Sequence, residues 1–194
     1  QNIFKHQDEK SKKENESYTI SGKITGIQDS TVILAYYFGG KQYATDTAVV
    51  TNGQFTFQGD KKLKGGMYFV MLSESKYFDI IISEQDFSFS TKIDDLIGSM
   101  TFNNSIENPP FYEYLNFITD MQQQVTPIRK QLESAQGDKK IELQEKVNII
   151  DKQVKLYRSK FLEKNPERFF SKIVIATTEI EIPESPLDST GKPD

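Results

Sequence analysis

The chain has 194 residues, with 24 Lys and Arg against 28 Asp and Glu, a formal net charge of -4, one His, no Cys and no Trp. Without Cys, the chain itself can form no disulfide, thiolate zinc site, iron–sulfur cluster or dithiol redox centre, and one His cannot supply a multi-histidine metal site. Mild acidity argues against a nucleic-acid partner, because neutralising phosphates takes a basic face.

Hydrophobic residues make up only 36%, yet 14 Phe and 9 Tyr concentrate the apolar area in large rings that can build a core. The length fits one large domain or two small ones. No run approaches the roughly 18 apolar residues that a membrane span needs, and no segment reads as a cleavable signal peptide. The start at Gln1 rather than Met suggests a processed or trimmed N-terminus. Residues 1–17 carry four Lys and four acidic residues and almost no apolar pattern. They are expected to be a disordered tether, with a binding arm as the alternative.

From Tyr18 to about Phe102 the apolar residues recur with period two between closely spaced turn residues, which predicts an antiparallel all-β domain over 18–105. Tyr18, Ile20 and Ile24 alternate with polar residues, and the run stops at Gln28-Asp29-Ser30. Val32 to Phe38 is nearly all apolar and closes on Gly39-Gly40. That suits either a central strand buried on both faces or a strand with an aromatic rim. Tyr43 to Val50 reads as the return strand. Asn52-Gly53 supplies the positive φ angles of a type I′ hairpin turn, after which Phe55 and Phe57 share one sheet face. Gly59 to Gly66 reads as a polar loop, and Met67–Leu72, Tyr77–Ile82 and Asp86–Thr91 read as further strands. About eight short strands without an intervening helix imply a β-sandwich.

At Ile106 the period changes. Asn108 is a candidate helix cap, followed by Pro109 and Pro110, whose missing N–H groups cost little in a first turn. Phe111, Tyr114, Ile118, Met121, Val125, Ile128 and Leu132 recur at spacings of three and four, a heptad-like stripe. Gln136-Gly137-Asp138 interrupts it, and a second stripe follows at Leu143, Val147, Ile150, Val154, Tyr157 and Phe161. Two stripes joined by a short polar turn predict a helical hairpin whose apolar faces pack on each other and on the sandwich, with an additional face that pairs with another copy or domain as the alternative. Pro127 should kink or break the first helix near Val125. Asn165-Pro166-Glu167 opens a short third helix through about Ile175, completing a helical region over 106–178. Residues 179–194 read as an extended acidic tail. The fold class expected is therefore α+β: an N-terminal antiparallel β-sandwich of about eight strands, then a helical hairpin and a short helix.

Catalytic chemistry finds little material. The only base with a neutral-range pKa, His6, lies in the polar opening segment. Asp94-Asp95 and the set Asp79, Glu84 and Asp86 are read as solvated turns, with a weak calcium site as the alternative. Gly39-Gly40 and Gly65-Gly66 lack the spacing of a phosphate loop and are read as turns. No catalytic, cofactor-binding or metal-binding residue is assigned, and no cofactor is expected. The ring cluster of Tyr36, Tyr37, Phe38 and Tyr43 either packs across strands or presents faces to a sugar or peptide. Tyr36, Tyr37 and Tyr43 are the candidate ligand-binding residues. The lysines of the second helix are interleaved with acids, as on a solvated face.

The segment Tyr18-Thr-Ile-Ser-Gly-Lys-Ile-Thr-Gly26, then Asp29, Val32–Tyr36, Asp46-Thr47, Asn52-Gly-Gln-Phe-Thr-Phe-Gln-Gly59 and finally Gly98-Ser99 through Asn103 form an ordered set of motifs. It resembles the N-terminal domain of unknown function of cell-envelope thioredoxin-like thiol–disulfide oxidoreductases of Bacteroidota. The resemblance covers about residues 18 to 117, and Asn165-Pro166-Glu167-Arg168-Phe169 is similar to the helical middle region that follows in that family. There the catalytic Cys pair belongs to a later thioredoxin-like domain, so no active-site residue carries over to this chain. The resemblance implies a non-catalytic accessory region that positions, dimerises or docks, with that thioredoxin-like domain or a second copy as partner. The alternative is an envelope domain that binds a glycan or peptide. It also implies export to the periplasm or envelope membrane, often as a lipoprotein. Asp29-Ser30-Thr31, Asp46-Thr47-Ala48 and Asp188-Ser189-Thr190 resemble the O-glycosylation sites of that phylum.

Overall fold

The computed structural model describes residues 17–178. Nearly all of the expected tether, with His6, lies outside the described residues, as do the acidic tail and Asp188-Ser189-Thr190. Eight strands come first: β1 (Tyr18–Thr25), β2 (Thr31–Phe38), β3 (Lys41–Val49), β4 (Gln54–Gly59), β5 (Gly66–Ser73), β6 (Lys76–Ile82), β7 (Asp86–Lys92) and β8 (Thr101–Asn103). Three helices follow: α1 (Asn108–Leu132), α2 (Gly137–Lys164) and α3 (Phe169–Thr178). Strands then helices make the chain α+β, with a boundary between two compact units at Ser105 and Ile106.

The strands form two four-stranded sheets, ordered β4-β1-β7-β8 and β3-β2-β5-β6. The chain moves from one sheet to the other after β1, β3, β4 and β6, so successive segments contribute their apolar faces to one core. Ile20, Ile24, Val32, Leu34, Phe57, Phe87, Val70 and Ile80 are almost wholly buried. Phe78 of β6 meets Phe89 of β7 edge-on, with ring centroids 5.5 Å apart, which joins the sheets through their interior. Pairing is antiparallel except between β1 and β7, which run parallel with Ile20 opposite Phe87. Parallel neighbours need a long connection, and here the whole of β2 to β6 supplies it.

In the strand unit one local expectation is corrected and one open choice is decided. Asn52 and Gly53 take φ of 52° and 76°, the tight turn that this dipeptide favours, but the turn is a corner and not a sheet hairpin. Only Thr51 and Gln54 pair across it, because β3 and β4 belong to different sheets. The aromatic run of β2 is not buried on both faces along its length: Val32, Leu34 and Ala35 are in the core while Tyr37 and Phe38 stand 53% and 72% exposed. It is the strand with an aromatic rim.

In the second unit α1 and α2 are antiparallel. Tyr114 lies near Phe161, with centroids 5.1 Å apart, while Arg129 reaches Asp151 at 3.3 Å. Val125, Val147 and Ile150 form the buried seam, flanked by Met121, Ile128 and Leu132. Phe111, Tyr114, Phe161 and Phe170 close the α3 end of the hairpin as a ring cluster. Asn108 is buried within the first turn and is not the cap; Glu107 occupies that position without a side-chain cap bond. Of the kink or break expected near Val125, the break does not occur, since α1 is helical from Asn108 to Leu132 with Pro127 inside it. Gln123, whose carbonyl loses its partner to the proline, is exposed, as is Pro127 itself, so water can take the freed acceptor.

Candidate functional site

The motif residues of the strand unit build the fold. Gly22 lies under two rings of the core: a Cβ there would sit 2.3 Å from Phe55 Cζ and 2.8 Å from Phe89 Cζ. Gly59 is covered in the same way by Tyr18, whose Cε1 would be 2.6 Å from an added Cβ. Asp29 Oδ1 accepts the Asn52 N–H at 3.0 Å and holds the corner turn. Asp46 Oδ2 accepts the Tyr18 hydroxyl at 2.8 Å and the Gln58 N–H at 3.0 Å, while Oδ1 accepts the N–H of Thr47. Asp95 Oδ1 accepts the Gly98 N–H, and the Ser99 hydroxyl donates to the Asp95 carbonyl at 2.6 Å. These side chains have structural partners, so the motifs are a scaffold signature.

The chemistry that remains open to solvent lies on the aromatic rim. Register places Tyr36 opposite Tyr43 on β3, and next to Tyr68 on β5. The Tyr36 and Tyr43 rings stack with centroids 5.6 Å apart, and Tyr36 and Tyr68 are 5.5 Å apart. Three tyrosines therefore cross three strands in one row. Tyr43 is 41% exposed, whereas Tyr68 is buried and its phenol is pushed up from the ordinary value, first by burial and then by Tyr36. Tyr37 points to the other side, by strand alternation. Its ring packs 4.8 Å from Phe69, and its hydroxyl accepts from Gln42 Nε2 at 2.9 Å.

A groove of about 690 Å³ runs along this rim, walled by Tyr36, Tyr37, Phe38, Tyr68 and the 62–66 loop with Lys64. Thr45 also lines it, and its Oγ1 is buried without a hydrogen-bond partner among the described residues. Thr45 is the extra residue where the β2–β3 register shifts between Leu34 and Ala35. Ring faces, a hydroxyl in need of a partner and a lysine suit an extended polar ligand with flat or hydroxylated surfaces. Tyr36 and Tyr37 line the groove, Tyr37 with its ring turned to the opposite side; Tyr43 is not part of the lining and touches it only through the stack on Tyr36. Tyr68, Thr45 and Lys64 were not legible as site residues, because the register that brings β5 and the bulge to Tyr36 is a tertiary property.

Other sites carry less. Among the described residues no group of three or more His, Asp or Glu could hold a metal ion. Asp79 is part-buried on β6, and burial pushes its carboxyl up. A second hollow of about 350 Å³ spans β4, β1, β7 and β8, but four of its hydroxyls pair with one another: Ser21 with Thr56 at 3.2 Å and Ser90 with Thr101 at 2.9 Å. No helix among the described residues is long and apolar enough to cross a membrane.

The two sheets, the scaffold motifs and the following hairpin define a β-sandwich module joined to a helical unit. The chain belongs to the family described as Domain of unknown function (DUF4369), whose model matches residues 18–125, the sandwich and the first part of α1. No curated protein and no solved structure matches the chain significantly.

Proposed function

We propose that this chain is a non-catalytic accessory region of a cell-envelope thioredoxin-like thiol–disulfide oxidoreductase, where it positions or docks the redox domain. The observation that carries this reading is the ordered motif set of 18–103, which resembles the front domain of those enzymes and whose residues here are engaged in holding the fold. A chain without Cys can serve such an enzyme only as support. The test is the intact mass and peptide map of the native protein from its source cells, in membrane and periplasmic fractions. A product carrying a thioredoxin-sized, Cys-containing segment, in an envelope fraction, is expected. A product without any such segment overturns the reading.

The second reading is a ligand-binding envelope domain for a glycan or peptide, and the open groove lined by half-buried Tyr36 and exposed Phe38 favours it. Binding of the chain to glycan and peptide arrays, lost on Phe38→Ala, supports it. Arrays without a hit, or a hit insensitive to that change, remove it.

A further inference from the structure

The seam side of α2 is occupied by α1, but the opposite side carries Ile141, Ile149 and Leu156, which are 61%, 56% and 57% exposed. At about 100° per residue these three, with Glu145, Asn148 and Lys152, fall within an arc of about 100°. That arc lies across the helix from Leu143, Val147 and Ile150.

Two charges in the stripe have no counter-ion on their own helix. Glu145 has Ile141, Glu142, Asn148 and Ile149 at the positions three and four away, and Lys152 has Asn148, Ile149, Lys155 and Leu156. Neither enters an ion pair among the described residues. Glu142 differs, because it is bound by both Lys139 and Lys146, at 2.9 and 2.6 Å; those lysines hold its carboxyl low, at about 2.

The stripe is complementary to itself. The midpoint of Ile141 and Leu156 is also the midpoint of Glu145 and Lys152, and it falls between Asn148 and Ile149. We propose that this face of α2 is the interface of a two-fold homodimer in which two α2 helices lie antiparallel about that midpoint. Ile141 of one copy then packs against Leu156 of the other at both ends, Glu145 meets Lys152 in the two layers inside them, and the two Ile149 side chains lie beside the axis. A parallel arrangement would set Glu145 on Glu145 and Lys152 on Lys152, so charge selects the antiparallel one. An isologous contact of this kind closes after two copies. One helix face a side is a small interface, so the dimer is concentration-dependent. This proposal does not rest on the redox reading, since a stand-alone chain would pair equally well.

The test is sedimentation equilibrium of the full chain over a concentration series. The mass should rise from one chain to two and no further. Glu145→Lys and Lys152→Glu should each weaken association at least tenfold, and the double exchange E145K/K152E should restore it. Because the chain has no Cys, Ile149→Cys adds its only thiol, which should cross-link to a dimer under oxidation while Asp120→Cys on α1 should not. A chain that is monomeric up to its solubility limit overturns the proposal. So does a dimer that ignores both single charge reversals, or charge reversals that the double exchange fails to rescue.

Discussion

The Tyr18 hydroxyl of one sheet donates to Asp46 Oδ2 of the other at 2.8 Å, and the same oxygen accepts the Gln58 N–H. One carboxylate thus ties β3 to β1 and β4 just before the corner turn. Asp46→Ala leaves a part-buried phenol and a backbone donor without their acceptor, and should cost about 2–4 kcal/mol in denaturant unfolding. Tyr18→Phe should cost less, about 1–2 kcal/mol, because it removes the donor with its need. The pair also sets a pH dependence. Burial first, then Asp46, push the Tyr18 phenol above its ordinary value near 10. The folded state therefore holds that proton more tightly than the unfolded chain. The stabilisation is complete below the ordinary tyrosine range and is lost as pH climbs beyond it. Alkaline unfolding of Tyr18→Phe should accordingly be flatter than that of the parent.

Gly22 should tolerate no side chain. Its added Cβ would overlap Phe55 and Phe89, which are 5% and 3% exposed and cannot swing into solvent without leaving the core. Gly22→Ala should destabilise by about 1–3 kcal/mol, the range of overpacked cores. A thermal midpoint unchanged from the parent would show that these rings relax freely.

The groove predicts a division between binding and folding. Phe38 is 72% exposed, so Phe38→Ala should keep the parent's unfolding free energy within about 0.5 kcal/mol. Tyr68 is buried beneath Tyr36, and Tyr68→Ala should cost about 3–5 kcal/mol. If array screening yields a ligand, titration calorimetry should show it weakened by Phe38→Ala at unchanged stability.

Local chemistry made the elements legible. Alternation over Tyr18–Ile24, the Asn52-Gly53 turn and the three-and-four spacing from Phe111 onward each follow from a period or a dihedral that neighbouring residues set. The pairing of β1 with β7, the passage of β3 and β4 into different sheets and the approach of Tyr68 to Tyr36 join residues far apart in sequence. No local pattern encodes those. The candidate rings were visible as a cluster, but which of them face solvent depended on where the β2 run leaves the core, at Tyr36.

Pro127 is the place where a strong local rule gave way. Proline in a helix interior removes one hydrogen bond and crowds the preceding turn, at about 3 kcal/mol, yet α1 continues through it to Leu132. Neighbouring Val125 and Ile128 belong to the seam with Val147 and Ile150, and their burial offsets that cost only if the helix stays intact. Pro127 itself is exposed, so Pro127→Ala removes no core contact. It restores a donor for the Gln123 carbonyl, and the looser unfolded chain takes back about 0.4–1 kcal/mol. The net expectation is a hairpin more stable by about 1–3 kcal/mol, read as slower hydrogen exchange of the α1 amides around Gln123 to Arg129. Faster exchange would mean that the seam is fitted to a bend which the proline imposes, and that α1 packs on α2 better with its local strain than without it.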